Sequence, residues 1–315
     1  MNRTIAVIGT LFLDCKGFAP ANYDPAGRNI GTVHFQAGGV GRNVAENLHS
    51  LGAKNFLIST IDKGGPGEEL CNQFLELGMT HEYLQPVAEG GMGIWLAILG
   101  KNGELFGSVS NLPNLKLLEA HWLNISGSVM NRVGHVALEM DLTLEITRSV
   151  LQQAKQKKCK VYGLPGNLSI IQEDPSVLSQ LDLFICNEVE GAKLFGMPES
   201  WGSLEDLLPW IEQTCQKEKL QSLVITLGEQ GAIWWDGKKA GAKGAFKVVP
   251  VDSSVAGDSF FAGVVAALVA GTALSEAVEV GTWVAARTVE AAESIRPDLP
   301  TCVANDSMIC SYIGK

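Results

Sequence analysis

The chain has 315 residues, 46% of them hydrophobic, with 35 glycines and a formal net charge of −10. That length holds one large domain or two small ones, and an acidic balance without a basic patch argues against a nucleic-acid polymer as partner. Seven cysteines without a Cys-x-x-Cys pair, and five histidines without metal-ligand spacing, argue for reduced thiols and against a disulfide framework or a zinc site.

Taken in chain order, Ile5–Ile8 reads as a short strand ending in Gly9. The N-terminus has too short an apolar run for a signal peptide. Residues 15–37 lose helical periodicity, and Thr32–Gln36 alternates like a strand. Asn43–Leu51 reads as a helix, Phe56–Ser59 as a strand and Glu68–Leu77 as a helix. Gly93–Leu99 and Glu104–Val109 flank Gly100-Lys-Asn-Gly103, a hairpin turn signal. Strands are then expected at Gly134–Leu138, Lys160–Tyr162, Leu183–Cys186 and Ser222–Thr226. Helices fall between them, near Leu142–Gln156, Glu188–Phe195 and Leu204–Gln216. This alternation predicts an α/β fold, a doubly wound and mostly parallel sheet covered by helices on both faces. Ligands then bind beyond the carboxyl ends of the strands, where Asp14, Glu139, Asp141, Asn187, Glu190, Thr226 and Asp258 are expected. The most apolar run, Phe260–Leu274, is broken by glycines and falls short of the ~20 residues that cross a bilayer. A cytoplasmic protein of one domain is expected, without a membrane partner.

The segment Val251-Asp-Ser-Ser-Val-Ala-Gly-Asp-Ser-Phe-Phe-Ala-Gly263 carries the chemistry. Asp252, Ser253 and Ser254 are turn and cap residues. Val255, Ala256 and Gly257 have little bulk, and an apolar helix follows from Asp258. Bare amides at a helix start form an anion site, and a carboxylate beside them completes the equipment of phosphoryl transfer.

The chain resembles the ribokinase-like PfkB family of carbohydrate and nucleoside kinases. The likeness rests on Gly38-Gly-Val-Gly-Arg-Asn-Val-Ala-Glu-Asn-Leu-His-Ser-Leu-Gly52 and Asp252-Ser-Ser-Val-Ala-Gly-Asp258, with Asn187-Glu-Val-Glu190 and Thr226-Leu-Gly-Glu-Gln-Gly231 between them. It covers essentially the whole length. It implies a ribokinase-like α/β domain over residues 1–315, with a small β-sheet lid from segments near 12–38 and 88–112. It also implies Asp258 as catalytic base, with Val255, Ala256 and Gly257 beside it as the anion hole. Asp14, Gly39 and Asn43 would meet the phosphate acceptor, with Glu139 and Asp141 near it. Asn187, Thr226, Gly228 and Gly231 would serve the nucleotide. Glu190 would help hold Mg²⁺, and Asp252 and Ser254 match a K⁺ site. The donor implied is ATP, and lids in this family often pair two subunits into a homodimer.

Three departures stand out. Val255 replaces the usual Gly or Ala, and a β-branched residue restricts the backbone, which predicts a slower enzyme or a rearranged loop. Gly163-Leu-Pro165 lacks the acid that often ends the middle strand, and Leu13 precedes Asp14 where Asn is usual. The Gly-Gly-Val-Gly-Arg-Asn run is similar to the pseudouridine kinase branch, so the expected acceptor is a nucleoside with a primary hydroxyl. The alternatives are a free-sugar kinase of ribose or fructose type and a catalytically weak ligand-binding homologue. A dinucleotide-dependent dehydrogenase fits less well, because Gly38-Gly39-x-Gly41 is not Gly-x-Gly-x-x-Gly.

Overall fold

The computed structural model describes residues 2–20, 22–100, 104–291, 293 and 295–314. Its strands are β1 (Ile5–Ile8), β2 (Phe12–Phe18), β3 (Thr32–Gly38), β4 (Asn55–Asp62), β5 (Leu84–Val87), β6 (Gly93–Leu99), β7 (Leu105–Asn111), β8 (His135–Glu139), β9 (Lys160–Leu164), β10 (Leu183–Asn187), β11 (Leu223–Thr226), β12 (Ala232–Trp235) and β13 (Ala240–Lys243). Its α-helices are α1 (Val40–Ser50), α2 (Pro66–Glu76), α3 (Leu115–Met130), α4 (Leu144–Lys157), α5 (Ser169–Glu173), α6 (Glu188–Phe195), α7 (Leu208–Glu218), α8 (Ala256–Ala270), α9 (Leu274–Val289), α10 (Leu299–Ala304) and α11 (Ser307–Ile313).

Nine strands form one sheet in the order β13-β12-β11-β10-β9-β8-β1-β4-β5. It is parallel from β5 to β11, and β12 and β13 add an antiparallel edge. The central run Ile5-Ala-Val-Ile8 is buried throughout, as a strand covered on both faces must be. One core cluster joins α1, α8 and α9 to one face, and the other joins α3, α4 and α7 to the opposite face. The doubly wound expectation is met. The antiparallel edge and helices α3 and α9 are additions to it.

Helix α8 is buried from Ser259 through Ala267 and ends at Gly271 in the left-handed region, φ 104°. It lies close against α9: a Cβ on Gly263 would stand 2.9 Å from Gly281 Cα. Among the described residues no helix is long and apolar enough to cross a membrane.

The remaining four strands form a separate sheet, β3-β2-β6-β7, within the two segments expected to build the lid. Its tip, the expected turn at 101–103, lies outside the described residues. Register puts Asp14 opposite Gln36 and Trp95, and Lys16 opposite His34 and Ala97. The alternate face carries Leu13, Cys15, Val33, Phe35, Ile94, Leu96 and Val109. Val33, Phe35, Leu96 and Val109 are exposed on it.

Candidate active site

The site is built where the strands of the large sheet end. Glu139, Asn187 and Thr226 are the last residues of β8, β10 and β11. Asp258 lies in the first turn of α8. The N-terminus of that helix has no side-chain cap. Among the described residues, the N–H groups of Gly257 and Asp258 meet no acceptor, while those of Ala256 and Ser259 bond to Ser253 and Val255 carbonyls. Unsatisfied, converging amides at the positive end of a helix dipole are suited to an anion.

Val255 fits this loop without left-handed strain. Its φ is −111° and ψ 12°, a region open to residues with a Cβ and common at active sites. Its side chain is buried, so its bulk faces the protein interior. The loop keeps its open amides with valine in place.

Asp258 is half-buried, and desolvation pushes its carboxyl up to about 7, with a pull down from Asn43 and a push from the Asp141 charge. Asn43 Nδ2 donates to Asp258 Oδ2 at 2.8 Å. Asn43 lies one turn into α1, the helix that begins after Gly39. Gly39 has φ 96°, and a Cβ there would come 2.6 Å from the Thr10 carbonyl, so this crossing requires glycine.

Glu139 is no solvated loop acid. Its Oε2 accepts the N–H of Thr10 at 2.7 Å and of Gly41 at 3.1 Å, and its Oε1 meets the Thr10 hydroxyl at 2.9 Å. It ties β8, the turn after β1 and the start of α1 together. Burial pushes it up to about 8. A Cβ on Gly9 would stand 2.6 Å from both Glu139 Oε2 and Gly41 Cα, so the three segments meet at closest approach. Asp141 accepts from the N–H groups of Gly166, at 2.7 Å, and Asn167, at 2.5 Å. It thereby supplies a carboxylate where the strand ending in Gly163-Leu-Pro165 has none of its own. Burial raises its pKa.

Asp14 lies within strand β2 of the small sheet, not in a turn. Burial raises its pKa against the pull of Lys16 and Arg42. Lys16, two residues on and on the same face, places Nζ 3.7 Å from Asp252 Oδ2. Asp252 also accepts from the Ser254 N–H at 2.8 Å. Burial would raise Asp252, but the bonds from Ser254 and the charge of Lys16 outweigh it and hold its pKa low.

Asn187 and Glu190 form a reciprocal capping box on α6, at 2.8 and 2.9 Å. Burial raises Glu190, and the Asp141 charge adds to it, so two carboxylates share this side of the site. Thr226 ends β11, its hydroxyl 3.5 Å from the Cys186 carbonyl. Gly228 and Gly231 both have positive φ, 56° and 114°. At Gly231 a Cβ would overlap the Lys243 carbonyl.

The structure thus places Asp258 and Asn43 in contact. The charges of Asp141, Glu139 and Glu190 interact across the strand ends, and Lys16 joins Asp14 to the Asp252 turn. Thr10, Lys16 and Arg42 were not singled out from the sequence. Lys16 was reachable, because strand alternation puts it on the Asp14 face. Thr10 was not, because its N–H and hydroxyl both meet Glu139, which lies 129 positions away in the sequence.

Residues 2–302 match the pfkB family of carbohydrate kinases. A guanosine-inosine kinase of Exiguobacterium acetylicum is 34% identical over 298 residues, covering 93% of this chain and 96% of that one. The pseudouridine kinase of Escherichia coli strain K12 is 23% identical over 297 residues, covering 94% and 93%. The structure of Arabidopsis thaliana ribokinase complexed with ribose and ATP shares the fold, with a TM-score of 0.79, 19% identity, and coverage of 98% of this chain and 100% of that one. Fold, signatures and relatives agree: the chain belongs to the pfkB family, and it is a sugar or nucleoside kinase, a phosphotransferase acting on a hydroxyl group.

Proposed function

We propose that the chain transfers the γ-phosphoryl group of ATP to the primary hydroxyl of a purine nucleoside in the cytoplasm, with Asp258 as general base. The observation that carries this is the half-buried Asp258 carboxylate, held by Asn43 at 2.8 Å and lying beside the open amides of α8. A purine nucleoside, of guanosine or inosine type, is preferred over pseudouridine because of the 34% identity to a guanosine-inosine kinase against 23% to a pseudouridine kinase. Trp95, paired with Asp14 across β2 and β6, supports it by offering a flat π-surface to a base.

In this reading the small sheet is the lid over the acceptor, and its Asp14 accepts from the sugar hydroxyls, with Gly39 and Asn43 at the floor. Asp258, poised near 7, takes the hydroxyl proton. The freed oxygen bonds to the γ-phosphorus as the bond to the β-phosphate oxygen breaks, and ADP leaves with the electron pair. The N–H groups of Gly257 and Asp258 donate to the phosphoryl oxygens without reorganising. Asn187, Thr226, Gly228 and Gly231 line the nucleotide side. Glu190, with Asn187, would hold magnesium: burial and the Asp141 charge outweigh the pull of Lys193 on its carboxyl, and a bound cation would offset them. Magnesium supplies charge neutralisation along the phosphates. Among the described residues no cluster of three ligands gathers for a metal, consistent with an ion carried mostly by phosphate and water. Potassium at the Asp252–Ser254 turn completes the proposal, in competition with Lys16 for the same carboxylate. The exposed apolar face bearing Val33, Phe35, Leu96 and Val109 supports a homodimer through the lid, which sedimentation of the chain tests.

The deciding experiment is ADP release with ATP, Mg²⁺ and K⁺ across inosine, guanosine, pseudouridine, ribose and fructose, for the wild type and Asp258→Asn. Turnover of a purine nucleoside that falls about 10²–10⁴-fold in the variant is expected. Ribose or fructose turnover alone would overturn the nucleoside reading, and an unimpaired variant would overturn the base.

A further inference from the structure

Asn43 makes two bonds with opposite demands. Its Oδ1 accepts from Nη1 of Arg42 at 3.2 Å, and its Nδ2 donates to Asp258 at 2.8 Å. A guanidinium only donates and an ionised carboxylate only accepts. One amide orientation satisfies both, and the flipped one repels both. Arg42 is itself fixed: Nε donates to Glu46 Oε1 at 2.6 Å, and Nη1 also donates to the Ala37 carbonyl of β3 at 3.1 Å.

The Arg42–Glu46 pair is nearly enclosed, with side-chain exposures of 10% and 5%. Burial pushes Glu46 up while Arg42 pulls it down. A buried ion pair gains little net stability over well-packed apolar side chains. Its place one residue from Asn43 is better accounted for by orientation than by stability.

We infer that Arg42, braced by Glu46, is a positioning residue that sets the Asn43 amide to donate to the base and ties that setting to strand β3 of the small sheet. The inference rests on the reading of Asp258 as base. Arg42 is faced by Glu46 from its own helix and by the charge of Asp14 from β2. Asp258 is faced by Asn43 from α1, by Asp141 from the loop after β8 and by Glu139 at the end of β8.

The test is the pH profile of kcat/KM with ATP and inosine, or whichever panel member is turned over. The double variant Arg42→Met, Glu46→Met removes the pair without stranding a buried charge. The Asn43 amide then loses its anchor, Asp258 loses part of its hydrogen bond, and the acid limb is expected to move up by about 0.5–1 pH unit. Activity at pH 7 falls about 2–5-fold and recovers near pH 9. Arg42→Lys keeps the charge but lacks the fork that reaches Glu46 and Asn43 together. It is expected to give an intermediate limb, and it is read the same way should the double variant not fold. A purely structural role would lower the melting temperature and leave the limb unmoved, and that result overturns the inference. Full activity in Asp258→Asn would instead defeat the base assignment, so the two failures are distinguishable.

Discussion

Replacing Glu139 by Gln should stabilise the protein, and increasingly so as the pH rises. The carboxyl is 6% exposed, and burial lifts it from 4.5 to about 8. An unfolded chain releases this proton near 4.5, whereas the folded one keeps it to about 8. Between those values the native state holds more protons, so stability falls as pH rises. Glutamine cannot titrate, yet it reproduces the neutral acid. Its carbonyl accepts the N–H groups of Thr10 and Gly41, and its amide donates to the Thr10 hydroxyl. From pH 5.5 to pH 8 the advantage of the variant over wild type should grow by about 3 kcal/mol. For a chain of this size that is roughly 4–6 °C in melting temperature. Urea unfolding and thermal scans of both proteins at the two pH values measure it. Subtracting wild type from variant removes the parallel contribution of Asp258. A difference that is the same at both pH values would refute the reasoning, because it would mean that Glu139 is ionised in the fold.

Two further outcomes follow from contacts at the site and in the core. Lys16→Met removes the 3.7 Å pair with Asp252; a partly exposed pair is worth about 1 kcal/mol at most, so KM for the acceptor should rise about fivefold with the melting temperature nearly unchanged, measured by steady-state kinetics and a thermal scan. Gly263→Ala drives a Cβ to 2.9 Å from Gly281 Cα and 3.0 Å from Val284, which should cost about 1–3 kcal/mol in urea unfolding while the pH profile of kcat/KM keeps its shape.

The parallel half of the large sheet was legible because its strands are short apolar runs separated by amphipathic helices. Helix α6 was read to the residue, since Asn187 and Glu190 form a capping box and Gly196 closes it at φ 65°. Helix α3 escaped notice because Ser126, Gly127 and Ser128 break its apolar pattern, and burial of Trp122, Val129 and Met130 holds it instead. Helix α9 is rich in valine and threonine, residues of weak helix propensity, and contact with α8 decides its form. The antiparallel β12 and β13 lack a periodic signal over four residues each. At the site, Asp258, Asn187 and Thr226 announce themselves by their place after or at the end of a strand or at a helix start. The Asn43–Asp258 bond spans 215 positions, and the Glu139–Gly41 bond spans 98. No local pattern encodes either. The consequence of Val255 was also beyond reach, because a sequence does not say which way a side chain at a helix start turns.

The division of the site between two sheets bears on how such a protein changes over generations. Asp14, Lys16 and Trp95 ride on the four-stranded sheet, while Asp258, Asn187 and Thr226 belong to the nine-stranded frame. On the proposed assignment of roles, substitutions in the smaller sheet would alter which hydroxyl compound is admitted without disturbing the apparatus that handles phosphate. The two inheritances are joined at few points, among them the Ala37 carbonyl on Arg42 and the pairing of Lys16 with Asp252. On that assignment, a lineage exploring new acceptors would change the small sheet, and at those seams a change of taste would also be a change of rate.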